Sequence, residues 1–239
     1  MKGTTQSGTT ARPTFDQLFR QRSHGFLSKM GAWECCAGRS IQDLAADLVV
    51  WFGRFPDATK LLFRLNDHHA DSFTHCANVC LLAAMQAAHR GLSHDDVREV
   101  ALAGLLHDVG KIAVPTDVLD KEAPLTRQEA ARISVHSVAG ARVLAGVSGL
   151  PGLVLVGAWE HHLHHDGKGG YPRPSRNRVP HGVSQMIALA DFFDALTTPK
   201  PYRTAQPLDL VLQMMREREG RIFRPDLLHS FFEVIDAVS

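Results

Sequence analysis

Apolar residues return along most of this chain at intervals of three and four, and nowhere in sustained alternation, so the pattern predicts helices and no sheet. In SIQDLAADLVVWFGRF, Ser40 and Asp43 have the spacing of a capping box, and Ile41, Leu44, Ala45, Leu48, Trp51, Phe52 and Phe55 recur on one helical face. Pro56 opens a short helix through Leu65, and another runs from about Ser72 to His89 and ends at Gly91. Ser93, with Asp96 three residues on, caps a fourth that carries VREVALAGLLHDV and stops at Gly110. Thr126 and Glu129 make a further capping box for a helix through about Ala145. Helices follow over Gly152 to His164, Val183 to Thr197 and Leu208 to Glu219, with Pro225 in the first turn of the last. The expected fold class is all-α. Residues 1–13 are rich in Thr, Ser and Gly and are expected to form a disordered tail. The long irregular stretch, Asp166 to Gly182, is of the length that loops inside a domain reach when they serve a function.

At 239 residues, 44% hydrophobic and 21% charged with a formal net charge of +1, the chain can bury one large core. It shows no charge excess directed at nucleic acid. Its longest nearly uncharged apolar run, Val79 to Ala88, is far too short to span a bilayer. MKGTTQSGTTARP lacks the apolar middle of a signal peptide, so a cytoplasmic protein with no membrane partner is expected. Cys35 and Cys36 are adjacent and Cys76 and Cys80 lie one helical turn apart, with no CxxC spacing; all four read as reduced and structural.

Chemistry enters with EHHLHHDGKGGYP, Glu160 to Pro172, which puts four histidines into five positions ahead of an aspartate and three glycines. Histidine is the commonest metal ligand, and adjacent histidines seldom help packing. The lysine among the glycines lacks the spacer and the following Ser or Thr of a P-loop. LLHDVGK gives adjacent His107 and Asp108 at a helix end, with Lys111 three residues further on; a histidine there is also a favourable charge against the helix dipole. Other polar residues interrupt apolar faces. Asp71 precedes His75 by one turn, His136 stands among Ile133, Ala139 and Val143, and Asp191 follows Ile187 and Ala188. A carboxylate in such a place is costly unless it is paired or bound to metal.

The ordered strings HCANV at His75, HDVGK at His107, HSVAG at His136, HHLHHDGKGGYP at His161 and ADFFDALTTPKPYR at Asp191 resemble the HD-GYP family, a branch of the HD-domain metal-dependent phosphohydrolases that act on cyclic dinucleotides. The resemblance runs from about Asp71 to GRIFRPDLL and implies an HD-type helical bundle. It implies residues 14–65 as a helical extension that packs on the catalytic domain, residues 66–239. It further implies that His75, His107, Asp108, His136, His161, His162 and Asp191 ligate metal, with Asp71 for a third ion; without Asp71 the site would be binuclear. Iron is expected first and manganese second, imidazole and carboxylate without thiolate also suiting nickel, cobalt or zinc. Asp108 would bridge metals, and a metal-bridging hydroxide would attack the phosphodiester. Lys111, Lys200 and Arg203 would hold phosphate, with Lys200 in place of a more usual arginine.

Gly169, Tyr171 and Pro172 would shape the rim that meets substrate and, in the family, a cyclase-domain partner; Gly170 is one residue more than the pattern has. His164 and His165 cannot face the same centre as their neighbours on a helix and are not expected to ligate. Asp194 would orient neighbours, the arginines at 173, 176 and 178 read first as a solvated loop, and Arg224 departs from the family pattern without an account from sequence. The implied activity is hydrolysis of cyclic di-GMP to pGpG and onward to GMP. Rival readings are a phosphodiesterase of cyclic GMP-AMP, a non-catalytic module that binds cyclic di-GMP or docks on a cyclase, and a mononucleotide phosphohydrolase. A homodimer through the amino-terminal helices remains open.

Overall fold

The computed structural model describes residues 12–31, 33–34, 38–173, 177–199 and 204–238. Cys35, Cys36, Arg176, Lys200, Arg203 and most of the expected tail lie outside the described residues. The elements are α1 (Phe15–Lys29), α2 (Ile41–Phe52), α3 (Pro56–His68), α4 (Ala70–His89), α5 (His94–Leu106), a 3-10 turn (Val109–Ala113), α6 (Thr116–Leu119), α7 (Arg127–Leu144), α8 (Gly152–Glu160), α9 (Gly182–Thr197), α10 (Leu208–Arg216) and α11 (Pro225–Asp236). Among the described residues β-pairing is confined to isolated bridges.

Capping sets several of these boundaries. Ser40 and Thr126 close the capping boxes that their spacing predicts, and Thr14 with Gln17 closes another at the start of α1. His69, in extended backbone, ends α3 and caps α4 by accepting from the Ser72 backbone N–H. The apolar run at Val79 to Ala88 lies in α4, which is buried from Cys76 through Ala87 and therefore has no solvent face there. Helices α1, α3, α5, α9 and α11 pack around it. Gly104 of α5 lies against α4 so closely that a methyl group there would come within 3.1 Å of Cys80 Cα.

The amino-terminal helices share this core. Phe19, Trp33, Leu48 and Phe52 are buried, and Phe15, Phe19 and Phe52 meet ring to ring. Arg98 of α5 reaches Asp47 of α2 at 2.6 and 3.0 Å. The boundary expected after residue 65 falls inside α3, whose Leu61, Leu62 and Leu65 join the same apolar cluster. Cys76 and Cys80 are buried free thiols.

Four helix ends differ from the sequence pattern, and one of them lengthens a helix, as α3 runs three residues past Leu65 to His68. The fourth helix stops at Leu106 and the chain tightens into the 3-10 turn instead of running to Gly110; α8 stops at Glu160 with His161 as its cap, four residues early; α10 stops at Arg216. In α5 and α8, the chain leaves the helix where the functional side chains begin. The short α6 has no periodic signal in four residues and was not expected.

Candidate metal centre

The site begins with a close approach of two backbones. Gly110 presses on α7 so tightly that a Cβ would lie 1.9 Å from the His136 carbonyl oxygen and 2.5 Å from Gly140 N. Only glycine fits, and the contact brings His136 of α7 to Asp108 at the head of the 3-10 turn. His75 comes from α4, His107 caps α5, His161 and His162 follow the end of α8, and Asp191 comes from α9.

Four of the imidazoles are oriented from behind. Nδ1 lies 2.7 Å from Gly104 O in His107, 2.7 Å from Ile133 O in His136 and 3.0 Å from Gly157 O in His161. A carbonyl only accepts, so each Nδ1 carries the proton and each Nε2 keeps its lone pair. Nδ1–H of His75 donates to Asp194 Oδ2 at 2.6 Å, which turns its Nε2 toward the cluster, where it meets Asp191 Oδ1 at 2.9 Å.

The ligand atoms fall into two clusters, His75 with His107 and Asp108, and His136 with His161 and His162. Asp108 faces both. Its Oδ2 lies 3.3 Å from His107 Nε2 and 3.8 Å from His75 Nε2, whereas its Oδ1 lies 3.1 Å from His136 Nε2 and 3.9 Å from His161 Nε2. Asp191 spans them from the side, 2.9 Å from His75 Nε2 and 3.8 Å from His162 Nδ1.

The donor set fits divalent metal ions. His136 and His161 point their Nε2 atoms at each other across 3.1 Å, and both Nδ1 protons are already donated, so two lone pairs meet with no proton assigned between them. Among the described residues His107 Nε2 and Asp108 Oδ1 are buried without a hydrogen bond, and Asp108 Oδ2 has the Lys111 ion pair in place of one, a costly arrangement that coordination would relieve. Burial holds the pKa of His136 and His161 below the ordinary value, and that of His162 at about 3, which keeps these rings neutral and able to ligate at pH 7. Burial also pulls His75 down, but the carboxylates of Asp191 and Asp194 outweigh it and raise its pKa to about 9 in the metal-free protein. Burial alone would raise Asp108, yet Lys111, His107 and His136 hold its carboxyl well below the usual range. Lys111 pairs with Asp108 Oδ2, and the nearby carboxylates lift its pKa against burial.

Asp71 is half-buried one turn before His75 and stands in neither cluster among the described residues. Tyr171 roofs the second cluster, tilted on His162 at 4.4 Å between centroids and edge-on to His136 at 5.9 Å. The extra Gly170 has φ +85°, and a side chain there would strike the His162 carbonyl at 1.9 Å. Its neighbour Gly169 lies under the His164 ring, where a Cβ would come within 2.2 Å. The insertion therefore lets the stretch from Gly169 to Tyr171 fold back on His162 to His164, with Leu163 bridging Gly170. A cavity of about 220 Å³ opens beside this turn, bordered by His162, His164, Tyr171, Asp191, Phe192 and Phe223.

The GRIF segment braces the same turn, as Ile222 O and Arg221 O accept from the backbone N–H groups of His165 and Asp166. Arg224, unexplained by the sequence, grips both oxygens of Asp226 at 2.6 and 2.9 Å. Glu160 was missed. It is 0% exposed and accepts from Arg178 Nε at 2.6 Å, His181 N at 2.7 Å and Ser184 Oγ at 3.1 Å, so it ties the end of α8 to the returning loop and to α9. Its one signal in the sequence is a carboxylate closing the apolar GLVLVGAW immediately before the paired histidines.

These features define an all-helical protein with a buried, two-part histidine–aspartate cluster whose donor atoms suit divalent metal. The HD domain family model matches residues 60–227, and the chain belongs to that family, with the motif order of its HD-GYP branch. It is 32% identical over 193 residues to the cyclic di-GMP phosphodiesterase PA4108 of Pseudomonas aeruginosa, covering 81% of this chain and 46% of that protein. It is 35% identical over 145 residues to the 3'3'-cGAMP-specific phosphodiesterase 1 of Vibrio cholerae, covering 61% of this chain and 33% of that one. The chain thus spans about half or less of the length of these curated relatives. Bd1817, a HDG"Y"P protein from Bdellovibrio bacteriovorus, shares the fold with a TM-score of 0.58 at 15% identity over 91% of this chain and 80% of its own. No helix among the described residues is long and apolar enough to cross a membrane.

Proposed function

We propose that this chain is a metal-dependent phosphodiesterase that opens cyclic di-GMP to linear pGpG, with GMP as the alternative end product. The observation that carries the reading is Asp108, whose two oxygens face two separate histidine clusters. A carboxylate facing both clusters would be shared by two bound cations, and a pair of cations is what hydrolysis of a phosphodiester calls for. His75, His107 and Asp108 would hold one ion, and His136, His161 and His162 the other, with Asp191 between them; iron is the first expectation and manganese the second. Bound ions supply Lewis acidity toward the phosphoryl oxygens and a hydrolytic nucleophile at neutral pH. Asp71 is the position for a third.

The chain's own groups do the rest. Lys111 carries its charge beside Asp108, in place to meet a phosphate oxygen, and Lys200 and Arg203 are assigned the same task from the motif. Tyr171 covers His162 and limits water on that side, with Gly169 and Pro172 setting the rim. Val135 and Val138, exposed on α7, border a groove with Pro172 that would receive a cyclase domain. Cyclic GMP-AMP is the second substrate reading, because the chain is similar to curated enzymes of both specificities.

The test is metal analysis of anaerobically purified protein with a chromatographic assay of both dinucleotides on the same sample. Two or three ions per chain and pGpG or GMP as product, both lost in His107→Ala, are expected. Metal-loaded protein that binds cyclic di-GMP and leaves it intact would overturn the enzyme reading.

A further inference from the structure

A second cavity, about 710 Å³, lies between α1, α4, α9 and the carboxy-terminal helices, and no metal ligand lines it. Phe26 from α1, Met30 at its C-terminal cap, Phe193 from α9 and Leu208 and Val238 give it largely apolar walls. The threonine hydroxyls and Asp194 in those walls are paired, but two buried polar atoms are open among the described residues, Arg22 Nε and Asn78 Oδ1. Arg22 and Lys29 both line it from α1 without an ion pair among the described residues, and Arg22 Nε is buried with no hydrogen-bond partner. Asn78 is 5% exposed; its Nδ2 donates to Asp194 Oδ1 at 2.8 Å, but its Oδ1 is buried and accepts from nothing. Buried polar atoms in folded proteins are nearly always paired, and a buried donor and a buried acceptor left open on one apolar cavity have the pattern of a ligand site.

We propose that this cavity binds a small organic acid. Its carboxylate meets Arg22 and Lys29, its apolar body packs on Phe26, Met30 and Phe193, and one N–H or O–H donates to Asn78 Oδ1. The other end of Asn78 holds one oxygen of Asp194, whose second oxygen takes the Nδ1 proton of His75. Occupancy thus bears on the hydrogen bond that orients a metal ligand. This coupling rests on the metal reading above; the binding does not.

The test is calorimetry of the full chain as purified, with three probes of similar shape. Indole-3-propionate carries the acid, the flat body and the N–H; naphthalene-1-propionate lacks the N–H, and 3-methylindole lacks the acid. Saturable one-to-one binding of the first is expected, weakened roughly tenfold by either omission, about the cost of one lost polar contact. Arg22→Met should weaken it by a similar factor. Leu208→Trp, which fills the cavity from its rim, should abolish it, so the result does not depend on one variant folding; melting curves establish that each does. No saturable heat, equal affinity for the three probes, or binding unchanged in both variants would overturn the proposal. In metal-loaded protein, saturating indole-3-propionate should change the rate of metal loss to a chelator severalfold, and not in Leu208→Trp; an unchanged rate overturns the coupling. Loss of dinucleotide turnover alone would leave the calorimetry standing, so the two readings fail separately.

Discussion

Asp194 and His75 sit 119 residues apart in sequence and 2.6 Å apart in space, both buried, with the Asp194 carboxylate accepting the Nδ1 proton of His75. Asn78 and the Thr198 hydroxyl satisfy the other oxygen at 2.8 and 2.7 Å. A carboxylate so held fixes the tautomer and the aim of the ring. Asp194→Asn keeps the shape and removes that acceptor's charge. It is expected to weaken metal binding by about 10- to 100-fold, read as metal retained per chain after dialysis against graded chelator. Full retention would show that His75 needs no such support.

Gly110 gives a steric test. Adding one methyl group forces the 3-10 turn away from the His136 carbonyl, so Gly110→Ala should cost about 1–3 kcal/mol and lower metal content as well. Gly25, inside α1, is the control, since a methyl group placed there would meet nothing within 4 Å. Gly25→Ala should stabilise by about 0.5–1 kcal/mol. Urea denaturation of the two variants should move in opposite directions.

The pH dependence of the metal-free protein follows from two histidines shifted in opposite senses. His75 is raised to about 9, so its stabilising charge is fully present below the unfolded value of 6.5 and is lost as pH rises through 9. His162 is lowered to about 3, so between 6.5 and 3 the unfolded chain takes up a proton that the folded one refuses, and stability falls with falling pH. His136 and His161 shift in the same direction as His162. The melting temperature of metal-free protein should therefore peak near neutrality and decline on both sides. A flat profile from pH 5 to 9 would contradict this electrostatic picture.

Glu160 is a buried charge with three donors, one of them the half-exposed Arg178. Glu160→Ala strands those donors and unties the loop from α8 and α9, at an expected cost of about 3 kcal/mol. Arg178→Met should cost less, because the two other donors remain. Thermal melts of the pair order the effects, and equal losses would assign the whole role to Arg178.

Lys111→Met tests the catalytic assignment. With metal content unchanged, kcat/KM on cyclic di-GMP should fall by about 100-fold. A fall that tracks metal loss instead would make Lys111 a structural partner of Asp108.

The helices, and the residues that gather in the two clusters, were legible because each leaves a local trace. Ser40, Ser93 and Thr126 announce their caps within four residues, and His75, His136 and Asp191 stand out against apolar faces. Glu160 and Arg178 were not, since they stand 18 residues apart and their pairing depends on how the chain returns between α8 and α9. Gly110 and Gly140 likewise look like ordinary glycines until two backbones are brought together. The early end of α8 was hidden for a related reason. The histidines continue a helical pattern by spacing, but His164 and His165 bond to Gly169 and Ile222 across a turn instead of back along a helix.

The order of the ligands along the chain has a consequence for how the protein is made. His75, His107 and Asp108 are all present once α5 and the 3-10 turn have been synthesised, whereas the second cluster waits for α8, and Asp191 comes later still. During synthesis from the amino terminus, an ion captured early would meet only half of its final surroundings, and Asp108 would hold it with one oxygen turned toward a neighbour not yet made. On the proposed metal reading, the nascent chain would carry an incomplete set of donors while the ribosome travels from residue 108 to residue 191. On that reading, the metal available in the interval, as well as the finished site, would bear on which ions the mature protein carries.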